Sequence, residues 1–174
     1  SPDIRANYEQ SNYDNIGFDI KYSINSNSMI DFTYNPDFEQ INQDPSEVNN
    51  TPYETFFEEK RNFFLEDALF FQTPIKVFYS RRIGASTDST DSNINYAFKF
   101  IGSSKSGWNM GSILASTSES NKTKNYFISR VSKDILNGNS ILGFSGTNLI
   151  DGSNTHSAFS FDNIYYWIKS ISMC

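Results

Sequence analysis

From Ile16 to Ile24 every second residue is apolar: Ile16, Phe18, Ile20, Tyr22 and Ile24 alternate with Gly17, Asp19, Lys21 and Ser23. A period of two places the apolar set on one face of a β-strand and the polar set on the other. Beyond the turn residues Asn25, Ser26, Asn27 and Ser28, Ile30, Phe32 and Tyr34 alternate with Asp31, Thr33 and Asn35. This predicts an antiparallel hairpin within residues 14–35. The same grammar returns over 94–169. Tyr96, Phe98 and Phe100 alternate with Ala97, Lys99 and Ile101, and further candidate strands lie at 108–117, 125–134, 140–148 and 157–169. Their separators at 102–107, 118–122, 137–139 and 151–154 are rich in Gly, Ser and Asn. Evenly spaced strands with turn-rich joints and no helical crossover predict an all-β antiparallel meander.

Residues 36–84 break this rhythm. Over 35–84 the chain carries nine acids and five bases, interleaved with phenylalanine pairs at 56–57, 63–64 and 70–71. A merely solvated loop has no use for three phenylalanine pairs, so this segment reads as a packed insert whose charges are matched by a polar wall. Thr51, Pro52 and Glu54 form a capping box with proline at the first helical position, which predicts one short helix near 52–61. Residues 62–66 are expected to leave that helix in an extended or irregular form.

Composition narrows the functional classes. The net charge is −6, which leaves no basic stripe to displace counterions, so nucleic acid is excluded as a partner. One Cys, Cys174, and one His, His156, exclude a disulfide framework and the His/Cys zinc patterns. The sequence calls for no cofactor. The 26 Ser and 20 Asn disfavour long helices. Both ends read as though cut from a longer chain.

The acids invite a hydrolytic reading, because paired carboxylates can serve as acid and base. Glu58 and Glu59 are adjacent and would not face each other on a helix, and Lys60 and Arg61 stand beside them. Ion pairing is the better reading, and no catalytic residue is assigned. His156 follows Thr155 in a turn-like stretch with no nucleophile motif to serve. The structural candidates are Asp37, Glu54, Glu58, Glu59, Lys60, Arg61, Glu66, Arg81 and Arg82, with Lys60 or Arg61 expected to pair with acids on the strands. The alternation admits two environments. In a soluble sandwich the apolar face is buried; in a membrane barrel it faces lipid and the polar face lines the lumen.

Certain runs carry more than periodicity. They are 35–41 (Asn-Pro-Asp-Phe-Glu-Gln-Ile) with Asp44-Pro45, 54–61 (Glu-Thr-Phe-Phe-Glu-Glu-Lys-Arg), 63–66 (Phe-Phe-Leu-Glu) and 79–84 (Tyr-Ser-Arg-Arg-Ile-Gly). In this order and spacing the chain resembles an uncharacterised Bacteroidetes-type family, in which a β-barrel domain of unknown function follows an N-terminal domain similar to family-nine carbohydrate-binding modules. The resemblance is dense over 14–84, thinner over 94–134, and fades after about 150. Asn62 stands where that family tends to have proline, and Asp67 where glycine is usual.

The resemblance implies that residues 1–174 form a single partial domain of an outer-membrane β-barrel larger than the chain can close. It also implies a location in the cell outer membrane, membrane lipid as a partner, and carbohydrate as a partner through a preceding domain. It brings no catalytic residues. The expected role is a channel, transport or surface-anchoring segment with residues 35–84 as a lumen plug or brace. The alternatives are a cell-surface glycan-binding or glycan-hydrolysing protein and a soluble all-β binding domain.

Overall fold

The computed structural model describes residues 3–7, 16–36, 56–85, 92–119 and 122–165. Eight strands form one sheet in strict sequence order: β1 (Asp3–Asn7), β2 (Gly17–Asn25), β3 (Ser28–Tyr34), β4 (Ser92–Ser103), β5 (Trp108–Glu119), β6 (Lys122–Ile135), β7 (Ser140–Asp151) and β8 (Asn154–Tyr165). Every neighbouring pair is antiparallel. The fold is therefore the predicted all-β meander. β1 is additional to the strands read from the sequence. Among the described residues β1 and β8 do not pair, so the sheet is open.

Register fixes which side chains share a face. Asp31 lies opposite Lys99, Lys99 opposite Ile113, and Ile113 opposite Ile128. One residue along, Phe32, Phe98, Leu114 and Phe127 align on the other face. The first face is covered by residues 56–85. Phe63, Phe64, Phe71 and Ile83 from this insert join Ile94, Ala97, Ile101, Ile113, Ala115 and Ile128 of the sheet in one buried cluster. A Cβ on Gly111 would sit 2.9 Å from Phe71 and 3.3 Å from Phe70, so the bare backbone there seats the insert's aromatic turn.

The insert is the least regular part. Of the expected helix at 52–61, residues 51–55 with Thr51, Pro52 and Glu54 lie outside the described residues, and 56–61 are not helical. The one helical turn is instead α1, Asn62–Leu65, in the stretch expected to be extended. The correction has a local cause. The Glu59 carboxylate accepts the backbone N–H groups of Lys60 and Arg61, each at 3.0 Å, which holds residues 59–61 out of helical geometry. Arg61, at φ −77° and ψ 119°, is the extended residue from which α1 starts. Single 3-10 turns follow at Ala68–Phe71 and Ser80–Arg82. Asp67, at φ 62°, takes the left-handed conformation glycine adopts freely, so the tight turn after α1 forms at Asp67, where the resemblance implies glycine.

Candidate functional site

The site is the contact between the insert and the polar wall of the sheet, and three charged groups organise it. Arg61 is only 2% exposed and ties the two arms of the insert together. Its Nε and Nη2 donate to the two oxygens of Glu59 at 2.8 and 2.7 Å. Nη1 donates to the Ile83 carbonyl at 2.6 Å and Nη2 to the Ser80 carbonyl at 2.8 Å. The guanidinium also stacks 4.3 Å from the centre of the Phe64 ring. Beside it the Tyr79 hydroxyl accepts from the Phe57 N–H at 2.7 Å and donates to the Phe57 carbonyl at 3.0 Å. Arg61 was expected to reach a strand acid; its carboxylate partner Glu59 lies instead within the insert, because two residues of extended chain bring it into fork geometry.

The link from wall to insert runs the opposite way, from strand cations to insert oxygens. Lys99 of β4 is 1% exposed. Its Nζ donates to the carbonyls of Phe63 at 2.6 Å and Glu66 at 3.1 Å. Asp31 of β3 lies 3.4 Å away and Asp67 4.0 Å away. The ammonium thereby caps the C-terminal end of α1, where helical carbonyls lack intrahelical donors. Lys21 of β2 pairs with Glu66.

Farther along the wall, Arg130 of β6 reaches across β7 to Asp162 of β8 in a bidentate pair at 2.6 and 2.8 Å, and also donates to Ser145 at 2.8 Å. Gly143 of β7 makes this crossing possible: a Cβ there would fall 2.5 Å from Arg130 Nη2 and 2.7 Å from Asp162 Oδ2. Gly143→Ala is therefore expected to destabilise the sheet by about 1–3 kcal/mol, the usual cost of overpacking. Denaturant unfolding of that variant beside Gly146→Ala measures it. The Gly146 Cβ would meet only the Phe159 ring edge, at 3.1 Å, and Ser129 at 3.8 Å, so its effect should be smaller.

The other candidates take distinct places. Asp37 and Glu54 lie outside the described residues. Glu58 and Lys60 are exposed, Arg81 is buried, and Arg82 is exposed with its carbonyl accepting from the Tyr126 hydroxyl at 3.3 Å. His156 is in β8, not in a turn, and lines a cleft of about 570 Å³ between residues 77–85 and β6–β8, together with Tyr79, Lys124, Tyr126 and Asp151. Lys124 pairs with Glu119 at 2.7 Å. Sequence reasoning read Asp31 and Lys99 only as polar members of the strand alternations, not as partners of the insert, and passed over Arg130 and Asp162, whose signal was the same parity.

Electrostatics reinforce the structural role of Glu59. Burial raises its pKa, but the bonds from Arg61, Ser80 and the Arg61 backbone outweigh it, and the carboxyl is held below its usual value of 4.5. A group whose pKa is lower folded than unfolded contributes stability above the unfolded value and loses it as pH falls through the folded one. Wild-type protein is thus expected to lose stability below about pH 4.5 more steeply than Glu59→Gln, which can be read from urea midpoints across pH. Burial pushes the Arg81 guanidinium below its ordinary value.

Among the described residues of the site, Glu59 is paired with Arg61 and Glu66 with Lys21. What the geometry does is hold a folded insert against a charged wall. No curated protein and no solved structure matches the chain. A family model does match, over residues 4–105, which takes in the first hairpin, the whole insert and β4. The chain belongs to the family described as domain of unknown function (DUF5916).

Proposed function

We propose that the chain is a segment of an outer-membrane β-barrel with a channel, transport or surface-anchoring role, and that residues 35–84 plug or brace its lumen. One observation carries this reading: the sheet buries charged side chains beside an aliphatic cluster on its covered face and leaves large apolar side chains exposed on its open face. On the covered face Lys99, Asp31, Arg130 and Glu119 are buried. On the open face Phe159 and Phe161 are 70% and 72% exposed, and Tyr22, Trp108, Leu114, Phe127 and Phe144 are exposed with them. A water-soluble sheet buries its apolar face, whereas a membrane barrel turns that face to lipid and keeps polar groups within.

Size supports a barrel of more than eight strands. Eight strands enclose a space that side chains alone fill. Here the covered face must accommodate the backbone of residues 56–85 as well. Closure then requires strands beyond the eight described. No helix among the described residues is long and apolar enough to cross a membrane, which bears on helices alone.

Extraction of the full-length protein tests the reading. A barrel should remain with the membrane fraction after alkaline carbonate washing, come into solution only with detergent, and migrate differently on SDS gels with and without boiling. Release into buffer without detergent would favour the soluble all-β reading. The glycan-processing reading would require that Glu58, Glu59 or Glu66 substitutions abolish polysaccharide turnover.

A further inference from the structure

The insert does not fill the whole covered face. Exposure rises across it: Ala97 and Lys99 of β4 and Ile113 of β5 are buried, Thr147 and Leu149 of β7 are half-buried, and His156 and Ala158 of β8 are exposed. Between residues 77–85 and β6–β8 this leaves the cleft of about 570 Å³. Sites that enclose small molecules run from about 300 to about 1,000 Å³ and pair an apolar lining with a few convergent polar groups.

Strand register grades the floor of the cleft. The inner row is Ile128, Thr147 and Ala158, and the middle row is Tyr126, Leu149 and His156. Lys124 and Asp151 form the outer row, beside the β7–β8 turn. Four residues along each strand separate the inner row from the outer one, a distance of about 13 Å. The roof adds Val77, Phe78 and Ile83 from the insert. One end of the cleft is therefore aliphatic, the middle is aromatic, and the far end is charged.

Hydrogen bonds already made inside the cleft show what is left for a ligand. The Tyr79 hydroxyl is engaged with the Phe57 backbone, the Tyr126 hydroxyl with the Arg82 carbonyl, and Lys124 with Glu119. Both tyrosine rings are thereby held in place as walls. Asp151 and His156 make no side-chain hydrogen bond among the described residues. They are diagonal neighbours on one face of β7 and β8, because Leu149 pairs with His156 and Asp151 with Asn154. Such neighbours stand about 7–8 Å apart, close enough to share one polar group placed between them. An ionised carboxylate only accepts hydrogen bonds, whereas an imidazole can donate or accept.

Charge narrows the ligand further. Lys124 and Arg82 are matched by Glu119 and Asp151, so neither sign dominates. An anionic end would meet Asp151, and a cationic end would meet Lys124. A hydroxyl or amide N–H satisfies Asp151 and His156 with no charge to desolvate. We propose that this cleft is a binding site for an uncharged amphipathic molecule, with its apolar body over Ile83 and Ile128 and a hydroxyl or amide end at Asp151 and His156. The lining comes entirely from the covered face, so the site does not depend on the barrel reading.

Isothermal titration of the full-length protein in lipid nanodiscs, with empty nanodiscs as reference, tests the site. The probes share one shape: para-phenylphenol, biphenyl and para-phenylbenzoate. The phenol is expected to saturate a single site and to bind about tenfold or more tighter than either relative, the worth of a hydrogen bond to a charged group. Asp151→Ala should erase that preference. Ala158→Trp, which fills the cleft from its floor, should abolish saturable binding, while Phe161→Trp on the open face should leave it unchanged. Absence of saturable binding in the wild type, or binding that survives Ala158→Trp, would overturn the site. A benzoate that binds as tightly as the phenol would overturn the uncharged class. If Ala158→Trp fails to fold, Asp151→Ala decides: a phenol preference that persists there removes the proposal. Should the protein come into solution without detergent, the same titration in buffer tests the site after the barrel reading has failed.

Discussion

Replacing Arg61 by alanine is expected to cost about 3–5 kcal/mol, the range observed when one partner of a buried ion pair is removed. Arg61 has no spare donor in its network that a neighbour could replace. Its loss leaves the Glu59 carboxylate, which is largely buried, without its bidentate partner, and leaves the carbonyls of Ile83 and Ser80 without this donor. It also removes the cation from the Phe64 ring. Urea unfolding of the detergent-refolded protein should show the midpoint falling by roughly 1–3 M. Arg61→Lys should recover only part of this, because an ammonium does not reproduce the fork. Lys60→Ala, one residue away and exposed, should change stability by no more than about 0.5 kcal/mol. Equal effects at 60 and 61 would remove the case for Arg61 as the tie between the two arms.

That contrast shows what the sequence could express. The strands were legible because their signal is local. Five alternating apolar residues from Ile16 to Ile24 dictate one face without reference to anything distant, and β2 through β8 fall where alternation places them. β1 was not legible, since five residues of Asp-Ile-Arg-Ala-Asn hold too little alternation to count. The helix misplacement has the same root in reverse. A capping box at 51–54 is a local signal, but the Glu59–Arg61 fork makes 59–61 extended and starts the turn at Asn62.

The site was half legible. Charge density and the phenylalanine pairs marked residues 35–84 as a packed insert, and Phe63, Phe64 and Phe71 are indeed buried against the sheet. The partners were not legible, because they depend on register across β3 and β4. Lys21 and Asp31 share the predicted hairpin, but Lys99 stands far along the chain, and only the β3–β4 pairing aligns all three beneath α1. Lys60 and Arg61 were indistinguishable as letters. Their opposite environments follow from strand-like alternation at 59–61, which buries one side chain and exposes the next.

Lys99 is where wall and insert are most tightly joined, and Lys99→Ala is expected to release the insert. Three losses combine there. The Phe63 and Glu66 carbonyls lose the ammonium that caps α1, Asp31 keeps a buried charge without its nearest partner, and a void opens beneath the Phe63 ring. The orphaned carboxylate dominates, at about 3–5 kcal/mol, against about 1–3 kcal/mol for an unpaired buried polar group. Combining Lys99→Met with Asp31→Asn separates the terms: it removes both charges, fills the space and leaves only the carbonyls without their donor. The double variant should therefore regain most of the stability lost in Lys99→Ala, while protease cleavage within 56–85 stays faster than in the wild type. If instead the double variant protects the insert as well as the wild type does, aromatic packing of Phe63, Phe64 and Phe71 seats it and the lysine is dispensable. If it remains as unstable as Lys99→Ala, the capped carbonyls, not the stranded carboxylate, set the cost.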